Sequence, residues 1–147
     1  IPPCELNRVV NAGDHFGFPF IHGKNIPDTG YEAPRDFVFS QPVWEFQAHT
    51  APLGIKFYDG ESFPEYYKNG AFVAQHGSWN RSEKVGYRLL FMKMEEGNVL
   101  SADVFIDGWM SNETSWGRPV TPLILKDGSM LISDDQADSI IRVTYKG

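Results

Sequence analysis

Apolar residues recur along this chain in short runs separated by Gly, Pro, Asn and Asp, and no segment sustains an apolar period near 3.6 residues. The pattern predicts strands over residues 6–10, 43–47, 54–58, 71–75, 88–94, 104–106, 120–125, 130–133 and 140–145, with one helical turn around residues 63–67. Two hairpins are signalled by their turns: Glu96-Gly97-Asn98 between apolar runs, and the tight Asp127-Gly128 connection that joins residues 121–125 to 130–133. An all-β architecture follows.

The strands form a loose repeat. Residues 53–110 read as a four-strand unit, and residues 117–147 repeat its first three strands. Four strands in roughly 40–50 residues is the size of a propeller blade. The expected organisation is residues 1–50 as the end of one blade with a connecting loop, 51–116 as one blade, and 117–147 as the first three strands of the last blade. About three blades do not close a ring, since propellers have about four to eight. The chain is therefore expected to be the carboxy-terminal portion of a larger propeller, completed by missing blades in the same or another chain. A self-contained β-sandwich of about nine strands is the alternative.

Composition narrows the class. Over 147 residues, 13 Lys+Arg face 19 Asp+Glu, a net charge of −6, which disfavours nucleic acid as a partner. No apolar run approaches the roughly 20 residues of a membrane span. The single cysteine, Cys4, has no partner within the chain and belongs to no metal-binding spacing.

Two polar clusters stand out. Ala74-Gln-His-Gly-Ser-Trp-Asn-Arg81 follows an apolar strand, and Ser115-Trp-Gly-Arg-Pro-Val120 occupies the matching position in the next unit. Either alone reads as a capped turn. Two loops that each offer Trp and Arg at one end of a propeller suit a planar, anionic, aromatic ligand: guanidinium supplies charge-assisted bonds and indole a stacking face. His15 and His22 lie in a Gly/Pro-rich turn and read as structural, whereas His49 precedes a strand and is a candidate for the same cavity. Asp134, Asp135 and Asp138 are either an oxygen-rich calcium site or a solvated acidic turn.

Taken in order, Pro2-Pro-Cys-Glu-Leu-Asn7, Asn11-Ala-Gly-Asp-His-Phe-Gly-Phe-Pro19, His49-Thr-Ala-Pro-Leu-Gly54, Gln75-His-Gly-Ser-Trp-Asn-Arg81, Gly117-Arg-Pro-Val120 and Asp127-Gly-Ser-Met-Leu-Ile-Ser-Asp-Asp135 resemble the L-sorbosone dehydrogenase and pyranose dehydrogenase group of quinoproteins. These enzymes use pyrroloquinoline quinone (PQQ) and are six-bladed propellers related to soluble glucose and aldose sugar dehydrogenases. The resemblance implies PQQ and calcium as cofactors, a sugar or related alcohol or aldehyde as substrate, and a quinone, haem or dye as electron acceptor. It also implies a periplasmic or extracellular location. On this resemblance Arg118 and Arg81 pair cofactor carboxylates, Trp79 forms an aromatic wall, and His49, His76 and Asn80 add hydrogen bonds.

The chain departs from that pattern in two respects. Glucose-dehydrogenase relatives carry a second Arg two positions before Arg118, where Trp116 stands here, and a Lys near Gly77. The family's catalytic His and calcium-holding carbonyls are expected upstream of Ile1, so no catalytic residue is assigned to this chain. The competing reading is a non-catalytic propeller module that binds a glycan or protein partner.

Overall fold

The computed structural model describes residues 2–147 and divides into two compact units, Ile1–Ala48 and His49–Gly147. In the first, β1 (Cys4–Leu6) pairs antiparallel with β4 (Trp44–Phe46), and β2 (Ile21–His22) forms a small hairpin with β3 (Ile26–Pro27). The strand expected over residues 6–10 stops at Leu6. The carboxylate of Asp14 accepts from the N–H groups of Val10 at 2.8 Å and Asn11 at 2.9 Å, and such local capping competes with a ladder. These two bonds, that from Asn11 first, hold the Asp14 carboxyl below its usual range. His15 Nδ1 accepts from Gly17 N–H, and His22 pairs with Asp28 at 2.7 Å, so both histidines serve their own loop.

The second unit contains a four-stranded antiparallel sheet in simple meander order: β5 (Pro52–Phe57), β6 (Ala71–Gln75), β7 (Arg88–Glu95) and β8 (Asn98–Ile106). A 3-10 turn at Glu65–Tyr67 lies between β5 and β6. The short hairpin β9 (Met110–Ser111) and β10 (Thr114–Ser115) follows, and then a three-stranded meander of β11 (Pro119–Ile124), β12 (Met130–Asp134) and β13 (Ser139–Val143). The nine-stranded sandwich is not formed. The strands make separate small sheets, and the two larger ones are simple meanders, as blades are.

β8 runs six residues longer at its start than expected. Glu96 and Gly97 both have positive φ, the geometry of a two-residue hairpin whose twist matches its strands, so pairing begins immediately at Glu95 with Asn98. The turn signals the hairpin, but Ser101, Ala102 and Asp103 interrupt the apolar run after Leu100, which is why a reading of apolar runs starts the strand only at residue 104.

The core of this unit lies between the two larger sheets. Phe72 and Phe91 pair across β6 and β7 and pack with Tyr58, Phe63, Leu89, Trp109, Met130 and Ile132. Gly54 on β5 sits so close to β11 that a Cβ there would fall 2.6 Å from the Thr121 Cα, which brings the first strands of the two meanders together. Tyr58 ties the layers: its buried hydroxyl accepts from Phe63 N–H at 2.7 Å and donates to Gly128 O at 3.1 Å in the Asp127-Gly128 turn. Tyr58→Phe leaves both backbone groups unpaired and is expected to cost about 1–3 kcal/mol, read as a lowered midpoint in denaturant unfolding. An unchanged midpoint would mean that the hydroxyl ties nothing.

Candidate functional site

The site begins where β6 ends. Gly77 has φ of +99°, and a Cβ there would lie 2.5 Å from the Tyr87 ring, so the bend and the aromatic wall beside it require glycine. The backbone of His76 and Gly77 donates to Ala51 O at 3.0 Å and Thr50 O at 2.9 Å, which places the 49–51 segment alongside. Gln75 donates to Thr50 Oγ1 and accepts from Arg88 Nε at 2.7 Å beneath this layer.

Arg118 arrives from the β10–β11 connection. Its Nε donates to His76 O at 3.1 Å, its Nη2 donates to Gly77 O, and its guanidinium lies over the Tyr87 ring at 5.4 Å. The structure thus brings together the two loops that sequence spacing had placed at one end. The His76 ring meets a third element: Nε2 is 2.9 Å from Asp135 Oδ1 in the turn after β12. Asp135 is held below its ordinary value of 3.8, first by the hydrogen bond to His76, with its partial desolvation opposing and the charges of His76 and Arg118 adding to the shift.

The remaining candidates occupy the rim. Trp79 is 83% exposed and Asn80 is exposed beside it, while Arg81 Nε donates to Glu83 O at 3.1 Å within its own loop. That loop is closed at its base by Ser78 and Val85, which exchange hydrogen bonds, and by Tyr87, whose hydroxyl donates to Ser78 O. Lys84 latches it to the β9–β10 hairpin by donating to Glu113 from both its backbone N–H and its Nζ. His49 is exposed, with φ of +68°, next to the residues that pair with His76 and Gly77.

Two partners escaped sequence reasoning. The sequence reading takes Asp135 only as part of an acidic turn, and it does not single out Tyr87, which lies just before the strand expected over residues 88–94. Gly86-Tyr87 preceding β7, facing a glycine bend, was the available signal for the second. The acidic turn does not gather its carboxylates: Asp134 Oδ1 accepts from Gln136 and Ala137 N–H, and Asp135 is committed to His76. Among the described residues no group of three or more His, Cys, Asp or Glu side chains could hold a metal ion.

The donor set does fit an anionic organic ligand. Two of the five Arg118 N–H groups are used on carbonyls, which leaves three beside a fixed imidazole.

An all-β chain of blade-like meanders, with a positioned guanidinium at one strand end, is part of a β-propeller. The chain belongs to the TrAA12-like family, whose model matches residues 11–146. An uncharacterized protein of Borreliella burgdorferi is 40% identical over 151 residues, covering 99% of this chain and 40% of that protein. Among solved structures, a glucose dehydrogenase superposes with a TM-score of 0.72 at 20% identity, over 99% of this chain and 38% of that one. The PQQ domain of the pyranose dehydrogenase from Coprinopsis cinerea superposes with a TM-score of 0.59 at 18% identity, over 88% of this chain and 40% of that one. The chain thus spans about two fifths of the length of these relatives.

The Asp135 contact carries a titration prediction. A carboxylate with a depressed folded-state value contributes stability above its unfolded value, and loses it as pH falls through the lower folded one. NMR titration of the carboxyl carbon is expected to place the Asp135 midpoint below 3.8, rising toward it in His76→Ala. The same midpoint in both proteins would remove the link.

Proposed function

We propose that this chain contributes the cofactor-binding side of a PQQ-dependent oxidoreductase acting on sugars or related alcohols and aldehydes. The observation that carries the reading is the Arg118 clamp: a guanidinium fixed by two carbonyls and an aromatic ring, with three donors to spare. Membership of the TrAA12-like family and the likeness in fold to a glucose dehydrogenase and to a PQQ domain support it.

When bound, the quinone supplies a two-electron acceptor for hydride from the substrate carbon. The residues of this chain bind and orient. Arg118 pairs with a cofactor carboxylate, and because its side chain is already held by His76 O and Gly77 O, little of its conformational freedom remains to be lost on binding. His76, held by Asp135, offers its ring at the same place. Trp79 gives a stacking face on the rim, and His49, Asn80 and Arg81 add polar groups around it. Calcium, the proton acceptor, the electron acceptor (quinone, haem or dye) and the remaining blades are assigned to no residue here. A periplasmic or extracellular location accords with this chemistry, and no helix among the described residues is long and apolar enough to cross a membrane.

The test is PQQ titration of the full-length protein, with calcium present, followed by tryptophan quenching and then by sugar-dependent dye reduction. Arg118→Ala is expected to weaken PQQ binding by roughly tenfold to a hundredfold, as losing a charge-assisted bond of about 1.5–3 kcal/mol should, and also to lower the unfolding midpoint because the His76 and Gly77 carbonyls lose their donor. Full affinity in Arg118→Ala would remove the site assignment. Absence of quenching in the wild type would replace the reading with a binding module that lacks the cofactor.

A further inference from the structure

His76 is gripped at both ends. Its carbonyl accepts from Arg118 Nε at 3.1 Å, its backbone N–H donates to Ala51 O, and its ring Nε2 meets Asp135 Oδ1 at 2.9 Å. An ionised carboxylate only accepts hydrogen bonds, so the proton in the ring contact belongs to Nε2. A neutral imidazole has one N–H, and with Nε2 holding it Nδ1 keeps a lone pair. No described residue donates to Nδ1, and Nδ1 is not among the buried polar atoms left without a partner, so it is open to solvent or ligand. Beside it, on the residue that holds the His76 carbonyl, are three uncommitted N–H groups of a permanent cation. With the ring neutral, the pair presents a charged donor next to a neutral acceptor.

We propose that Asp135 fixes His76 in the Nε2–H tautomer, making Nδ1 a hydrogen-bond acceptor beside Arg118, so that the site selects ligands in which a carboxylate adjoins an N–H or O–H donor. The inference rests on the cofactor reading above and deepens it, since one ring of PQQ carries a pyrrole N–H next to a carboxylate. Asp135 is a positioning residue that acts through His76. Its side chain is 61% exposed, so replacing it leaves the core untouched.

The first experiment is nitrogen-15 NMR of histidine-labelled full-length protein at mildly alkaline pH, above the ordinary imidazole range near 6.5. The His76 signals are identified by their loss in His76→Phe. The expected spectrum is that of a neutral ring protonated at Nε2, kept in Asp135→Asn, whose amide oxygen still accepts, and averaged between tautomers in Asp135→Ala. A doubly protonated ring or an Nδ1–H tautomer in the wild type overturns the proposal.

The second experiment compares pyrrole-2-carboxylate with furan-2-carboxylate, acids of like shape and charge that differ in the N–H. The wild type is expected to prefer the pyrrole acid about tenfold or more, and Asp135→Ala and His76→Phe to approach parity. Equal affinity in the wild type, or no measurable binding of either acid, overturns the selectivity. PQQ titrated into the same samples separates the two ideas. A pyrrole preference without PQQ binding removes the cofactor reading and keeps this inference. PQQ binding that ignores Asp135→Ala, together with probe parity, does the reverse.

Discussion

Arg118 satisfies two backbone carbonyls at the point where a buried strand leaves its ladder. Every residue of β6 is buried, and carbonyls left unpaired at its end would cost about 1–3 kcal/mol each. A lysine is a point donor; only the planar fork of arginine meets His76 O and Gly77 O while lying over the Tyr87 ring. The rest of the site depends on this arrangement. Arg118 comes from one meander and the carbonyls from the other, so the same contact joins two sheets and aims a cation. The guanidinium can offer three donors to a ligand because the other two hold it still.

Steric limits surround this contact. The bend at Gly77 needs a positive φ and tolerates no side chain against Tyr87. Tyr87 in turn donates to Ser78 O, so one aromatic residue both carries the guanidinium and anchors the base of the 78–85 loop. With that base closed and Lys84 latched to Glu113, the exposed Trp79 and Asn80 project from a fixed frame instead of a free loop. Exposed groups on a supported loop are where binding residues are commonly found.

Much of the fold was legible because burial wrote it into the sequence. β6 is buried throughout, β7 over residues 89–92 and β12 at alternate positions, and their observed bounds match the expected ones within a residue. Elements whose pairing is set by turns were less legible: the two-residue strands of the β2–β3 and β9–β10 hairpins carry no periodicity, and in β8 Ser101, Ala102 and Asp103 interrupt the apolar positions. At the site, the proximity of His76 and Arg118 was legible from their matching positions in consecutive units. The Asp135 partnership was not, because 59 residues separate it from His76 and an acidic turn looks alike whether it binds an ion, water or an imidazole.

The support under Arg118 reaches one layer deeper. Gly117 lies so close to its neighbours that a Cβ would fall 2.3 Å from Asp134 Oδ2 and 2.7 Å from Trp109 Cδ1. Those two side chains are nearly fully buried, and Asp134 Oδ2 and Trp109 Nε1 are both without hydrogen-bond partners. Asp134 meanwhile spends its other oxygen on the turn that carries Asp135. The carboxylate under Gly117 thus shapes the turn that holds the His76 ring, while Gly117 itself sets the entry of Arg118. The cation and the imidazole are placed by one buried junction, which is why the spacing of Trp109, Gly117 and Asp134 matters to a site that none of them touches.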